Sequence, residues 1–158
     1  MRRLLVVLTA VAAIGASGCG ATRSTTTAIQ NSVAPTLTSA TATFISRDHG
    51  KDKDSGLTVQ IVRNGEVEAE VRGSGFKFDD HSSSGPFGFQ MIGPFHARDI
   101  DDGQLRIRLV PDGRDDWTFD LNVVMRFDDG SSRTFQWNGV RLDNTENERT
   151  FALRNARI

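Results

Sequence analysis

Apolar and polar residues alternate one by one along much of the chain, and this period-two pattern restricts its fold more than any other feature. Every second residue is apolar over residues 117–127, and the same alternation runs through 57–61, 66–72 and 105–109. Successive side chains of a β-strand point to opposite faces, so the pattern buries one face of a sheet and leaves the other in water. The sequence therefore predicts antiparallel sheet, since no segment shows a sustained helical period.

Turn-forming pairs separate the alternating runs. Asn64-Gly65 lies between two of them and favours a type I′ hairpin, because both residues tolerate a positive φ. We expect strands near residues 40–46, 57–62, 66–72, 87–92, 104–110, 117–127, 132–142 and 148–154. About eight short strands predict an all-β fold, an antiparallel β-sandwich, with a small β-barrel as the alternative.

The first 19 residues have the parts of a secretory signal. Arg2 and Arg3 give a positive start, residues 4–14 are apolar apart from Thr9, and small residues lead into Cys19. A bilayer span needs about 20 apolar residues, so a cleaved signal is favoured over a transmembrane anchor.

Ala16-Ser17-Gly18-Cys19 resembles the lipobox of bacterial lipoproteins, although leucine is commonest where this chain has Ala16. The resemblance covers only the leader. It implies cleavage before Cys19 and acyl chains, such as palmitate, on that cysteine, which would hold the protein to a membrane outside the cytoplasm. Cleavage by ordinary signal peptidase, which would leave a free Cys19 thiol, is the alternative.

These features divide the chain into three parts. Residues 1–18 are expected to be the signal peptide, and 19–39 the lipidated cysteine with a flexible tether rich in serine and threonine. A glycosylated stalk is the alternative for the tether. Residues 40–158 are expected to form the β-sandwich domain, with Trp117 in its core. The phenylalanines at 76, 78, 87, 89 and 95 are expected in that core, or else along a ligand groove.

Two acidic loops form the candidate metal site. Carboxylate oxygens are the ligands that calcium prefers. The candidate ligands are Asp48, Asp52, Asp54, Asp115 and Asp116. If neighbouring strands alternate in direction, four loops share one end of the sandwich, namely 47–56, 73–86, 111–116 and 143–147. For the loop at 47–56 the sequence favours a solvated polar loop over a calcium site, because Arg47, Lys51 and Lys53 offset the negative charge and the spacing is not that of an EF-hand.

The arrangement is similar to C2 and PLAT-type sandwiches, which carry aspartate-bearing loops at one end and use calcium to contact lipid or protein. The resemblance is one of architecture over residues 41–154. It implies that the five candidate aspartates converge and that calcium is a possible cofactor.

No catalytic motif accompanies these features. The histidines at 49, 81 and 96 lie in separate loops without metal-ligand spacing, and residues 82–85 lack the strand–turn–helix context of a hydrolase serine. The single cysteine excludes an intramolecular disulfide. We therefore expect a non-catalytic binding or structural module. A calcium-dependent adhesion or lipid-contact domain is the alternative, and a hydrolase with an unrecognised site is the second alternative.

Charge restricts the partners. The net charge is −1, so no basic excess attracts nucleic acid. The expected partners are the membrane, through lipid on Cys19, and an envelope or extracellular molecule.

Overall fold

The computed structural model describes residues 33–48, 50–51 and 54–156. Within these ranges the chain forms nine strands and two short 3₁₀ helices, Ala97–Ile100 and Leu153–Asn155. The strands are β1 (Leu37–Ser46), β2 (Gly56–Arg63), β3 (Glu66–Gly73), β4 (Ser83–Gly88), β5 (Gln90–Met91), β6 (Gly103–Val110), β7 (Asp116–Phe127), β8 (Ser132–Asp143) and β9 (Glu148–Ala152). The described part of the chain contains no helix that is both long and apolar enough to cross a membrane.

The strands form two antiparallel sheets. One has four strands in the order β4-β1-β7-β8, and the other has five in the order β5-β3-β2-β6-β9. Apolar residues from both sheets form a single core between them. The fold is therefore the β-sandwich that the alternation predicts, and it is not a closed barrel.

Strand β7 shows how the alternating residues build the core. Its odd-numbered residues from 117 to 127 are all buried, and its even-numbered residues are more exposed. Trp117 stacks on Phe119 with 3.9 Å between ring centroids, and it also contacts the rings of Phe44 and Phe78. Trp117 is thus a core residue, as the sequence predicts.

The run predicted as one strand over residues 87–92 instead joins the two sheets, and this expectation is wrong. Strand β4 pairs with β1 in the four-stranded sheet, whereas β5 pairs with β3 in the other. Buried Phe89 lies between them and donates its N–H to the carbonyl of Ala40. Each sheet buries the face that lies against the core, so the apolar and polar residues keep alternating where the chain bends at Phe89 and passes to the other sheet. The alternation therefore does not reveal the bend.

Strand β1 begins at Leu37 rather than at residue 40. Leu37 is buried, and its N–H donates to the carbonyl of Phe95 at 2.7 Å. The last residues of the segment expected to be a tether therefore belong to the sheet.

Four connections between the sheets lie at one end of the sandwich, which confirms the expected grouping of loops. They are residues 47–55, 74–82, 111–115 and 144–147. The register puts the strand ends together, because Ser46 pairs with Phe119 and Asp116 pairs with Asp143 in one sheet. In the other sheet, Gly56 pairs with Val110.

Candidate functional site

The acidic loops at 47–55 and 111–115 meet at this end of the sandwich. The hydroxyl of Ser55 donates a hydrogen bond to the carboxylate of Asp115. The backbone N–H of Asp115 in turn donates to the side chain of Asn144 at 2.7 Å, which brings in the loop at 144–147. Three of the four connections therefore form one hydrogen-bonded group.

Asp115 and Asp116 direct their carboxylates into separate networks. The Asp115 carboxylate is buried and also accepts a hydrogen bond from the N–H of Asp112 at 3.3 Å. Asp116, the next residue, accepts two hydrogen bonds from the guanidinium of Arg141, at 2.8 and 2.9 Å. Neighbouring residues at a strand end face opposite sides, which explains the separation.

The other candidate ligands do not join either network within the described residues. Asp48 is exposed and lies 3.6 Å from the imidazole of His81, and Asp54 is exposed as well. Asp52 lies outside the described residues. Among the described residues, no group of three or more histidine, cysteine, aspartate or glutamate side chains could hold a metal ion. Calcium binding stays a prediction.

Cys19 and the rest of the leader also lie outside the described residues. Cleavage before Cys19 and its lipidation stay predictions from the sequence.

Lys51 has a different role from the one that its place in a charged loop suggests. Its side chain is buried, its Nζ donates to the carbonyl of Phe76 at 2.7 Å, and it lies 5.7 Å from the ring centroid of Phe78. Its backbone pairs with that of Phe78. Lys51 thus joins its loop to the connection at 74–82 from a buried position, through both its side chain and its backbone.

A concave site lies on the outer face of the five-stranded sheet. We call it the Thr58 groove. It has a volume of about 790 Å³. Its lining residues are Gly56, Leu57, Thr58, Gln60, Arg72, Gly73, Ser74, Arg106, Arg108, Val110 and Glu148. Ligand sites commonly measure about 300–1,000 Å³, so this groove is large enough for a small molecule.

Two cross-strand rows of side chains give the groove its shape. The first row runs across β3, β2, β6 and β9 and consists of Arg72, Thr58, Arg108 and Glu148. The second row crosses the same strands and consists of Glu70, Gln60, Arg106 and Thr150. Because the short Thr58 side chain lies between two long arginines, the first row is low in the middle.

A chain of hydrogen bonds fixes the second row. Arg106 donates twice to the Gln60 carbonyl oxygen, at 2.9 Å from Nε and 2.6 Å from Nη2. The Gln60 amide nitrogen donates to Glu70 at 2.7 Å, and Arg72 reaches the same carboxylate oxygen at 3.1 Å. The guanidinium of Arg106 therefore bonds to an uncharged side chain and forms no ion pair among the described residues.

Arg108 differs from the other two arginines of the groove. It is exposed, and within the part of the chain that the structure describes it makes no ion pair or side-chain hydrogen bond. Glu148 is opposite it in register, but the two do not form a salt bridge. Alternation over residues 105–109 places Arg106 and Arg108 on the solvent face of a strand, but the register that adds Arg72 cannot be read from spacing.

Among the described residues, one hydroxyl at the acidic end bonds to a carboxylate, but a substrate cannot reach it. Ser55, the hydroxyl bonded to Asp115, is fully buried. Of the two described histidines, His96 lies against the Thr36 hydroxyl at 3.2 Å, whereas His81 lies at the acidic end, 3.6 Å from Asp48.

Comparisons with known proteins give no relative. A scan against protein-family models, a search of curated proteins and a search of solved structures each found no match for this chain.

Proposed function

We propose that this chain is an exported lipoprotein, anchored through Cys19, that presents a non-catalytic β-sandwich as a binding module outside the cytoplasm. The leader, the lipobox-like residues and the serine- and threonine-rich segment that follows support the anchor and the export. The proposed partners are the membrane and an envelope or extracellular molecule.

The observation that carries the binding role is the Thr58 groove. It is open to solvent, and side-chain hydrogen bonds hold two of its three arginines, Arg72 and Arg106, on a regular sheet. A groove with a few fixed polar groups on a rigid scaffold is typical of a ligand site. Among the described residues no hydrogen bond joins the Thr58 or Ser74 hydroxyl of the groove to a base, so its arginines support binding more directly than catalysis.

A calcium-dependent adhesion or lipid-contact domain is the second candidate. The meeting of the loops at 47–55 and 111–115, through Ser55 and Asp115, favours it, because calcium sites often draw ligands from more than one loop.

Membrane fractionation of the full chain with Cys19→Ser tests the anchor. We expect the variant to leave the membrane fraction and to lose the mass of the acyl chains, because the thiol that carries them is gone. Ser17→Ala is the matched control, since it keeps both the small residue and the cysteine, and it should stay with the membrane. A Cys19→Ser chain that remains membrane-bound with unchanged mass would contradict the proposal.

A further inference from the structure

We propose that the Thr58 groove binds the oxyanion of an acidic sugar, with Arg72 and Arg108 on either side of the anion and Thr58 beneath it. This inference specifies the ligand class of the binding module proposed above and rests on that function. The ligand chemistry is a carboxylate or a phosphate on a hydroxylated ring.

The spacing of the strands suits one anion between two guanidinium groups. Thr58 pairs with Arg72 on one side and with Arg108 on the other. Neighbouring strands lie about 4.8 Å apart, so the two arginine backbones are separated by roughly 10 Å. Both side chains are exposed and long enough to converge above Thr58, whose hydroxyl can donate a further hydrogen bond.

The charges of the groove favour an anion. Arg108 has no ion pair among the described residues, and Arg106 is held by the uncharged amide of Gln60. Arg72 shares the carboxylate of Glu70, and Glu148 is the acidic residue in the lining. Positive charge is thus in excess at the low point of the first row, where a ligand would enter.

The hydrogen-bonded second row prepares the groove for binding. Gln60 accepts from Arg106 and donates to Glu70, so it holds the side chains of three strands in one geometry. A planar guanidinium presents parallel N–H groups that match the two oxygens of a carboxylate or phosphate. Of the two arginines proposed to hold the anion, the network reaches Arg72 through Glu70, and fixing that donor before binding reduces the entropy lost when the ligand arrives.

The rest of the lining suits a hydroxylated ring. Ser74 and Glu148 can exchange hydrogen bonds with sugar hydroxyls, and half-exposed Val110 offers an apolar contact to C–H groups. No aromatic ring lines the groove among the described residues, so a neutral sugar would lack a stacking surface there. Affinity should therefore depend on the charged group.

Isothermal titration of the full chain in a non-ionic detergent tests the inference. The probes are galacturonic acid, galactose 6-phosphate and galactose. We expect at least one acidic probe to bind, with an affinity that falls as salt is added, and galactose to show no binding. The acid that binds more tightly distinguishes carboxylate from phosphate. Binding of galactose equal to that of the acids, or no binding of either acid, would overturn the inference.

Variants locate the binding. Arg72→Gln and Arg108→Gln should each lower the affinity for the acidic probe by about tenfold or more, because each substitution removes a charged hydrogen-bond donor. Arg108→Lys keeps the positive charge but not the planar guanidinium, so it should lose less affinity than Arg108→Gln. Arg126→Gln is the matched control, an exposed arginine on β7 of the other sheet, and should bind as the wild type does. An equal loss in Arg126→Gln would show that binding is not in the groove.

The detergent titration does not depend on lipid attachment, so its failure is distinguishable from failure of the anchor. A chain that leaves the membrane on Cys19→Ser but binds neither acid would keep the proposed anchor and overturn the acidic-sugar inference alone.

Discussion

The indole nitrogen of Trp117 donates a hydrogen bond to the buried hydroxyl of Ser46, 3.0 Å away. Ser46 is the last residue of β1, and Trp117 is the second residue of β7, so the bond joins neighbouring strands just below the inter-sheet connections. The same indole packs against Phe44, Phe78 and Phe119. One side chain thus both fills the core and satisfies a polar group within it.

Substitution of these two residues should separate packing from hydrogen bonding. Ser46→Ala leaves the indole N–H without its acceptor and should lower the free energy of unfolding by about 1–3 kcal/mol. Trp117→Ala removes the ring as well and should cost about 3–5 kcal/mol. Denaturant unfolding measures both losses. Unchanged stability in Ser46→Ala would show that the indole finds another acceptor.

Asp143 gives the domain a pH-dependent contribution to stability. Its carboxylate accepts hydrogen bonds from the N–H groups of Glu146 and Thr145, both at 2.7 Å. These bonds, with a smaller effect from Arg141, lower the pKa of Asp143 below its ordinary value of 3.8. A carboxyl with a lowered folded-state pKa stabilises the fold above its unfolded-state pKa and loses that effect as the pH falls through the folded-state pKa.

We therefore predict that Asp143→Asn lowers the melting temperature at pH 7, and that the difference from wild type shrinks as the pH falls below the ordinary value of 3.8. Thermal melts of both chains between neutral and strongly acidic pH measure this. Asp102→Asn, an exposed turn residue, serves as the control and should follow the wild-type curve. A difference that stays constant over this range would mean that the charge of Asp143 does not stabilise the fold.

The start of β1 predicts how the domain responds to truncation. A chain that begins at residue 40 loses buried Leu37, its hydrogen bond to Phe95, and the bond from the Ala97 N–H to the Pro35 carbonyl. We expect that chain to be at least about 2 kcal/mol less stable than one that begins at Val33, given the burial of a leucine side chain. Urea unfolding of the two fragments compares them. Equal stability would mean that residues 33–39 contribute nothing to the fold.

The strands could be predicted because their solvent face is polar and their core face is apolar. Alternation over residues 117–127 is enough to predict that Trp117 is buried. Asn64-Gly65 is enough to predict a hairpin, and the structure gives both residues a positive φ. The bend at Phe89 could not be found in this way, since a residue between two sheets is as buried as one within a strand.

The Thr58 groove could not be predicted because it depends on register. Arg72 and Arg108 are far apart in sequence, and only their shared pairing with Thr58 brings them to one row. The burial of Lys51 cannot be predicted from the sequence for a related reason. A lysine in a charged loop is normally solvated, and its burial follows from a backbone pairing with Phe78 that no local pattern signals.

The calcium prediction can be made sharper with the networks at the acidic end. The Asp116 carboxylate is bound to Arg141, whereas Asp115 faces the loop at 47–55 through Ser55. We therefore predict that Asp52 and Asp54 supply the ion's ligands, completed by Asp115. Calcium at a hundred times its dissociation constant should then stabilise the chain by about 2.7 kcal/mol.

Thermal melting of the full chain with millimolar calcium and with a chelator measures this shift. The Asp52→Asn/Asp54→Asn variant should lose it, because calcium needs several charged oxygens. Asp116→Asn is the matched control and should keep the shift, since its carboxylate belongs to the Arg141 pair. Identical wild-type curves in the two buffers would leave the loop at 47–55 as a solvated turn, fastened to its neighbours by Lys51 and Ser55 rather than by an ion.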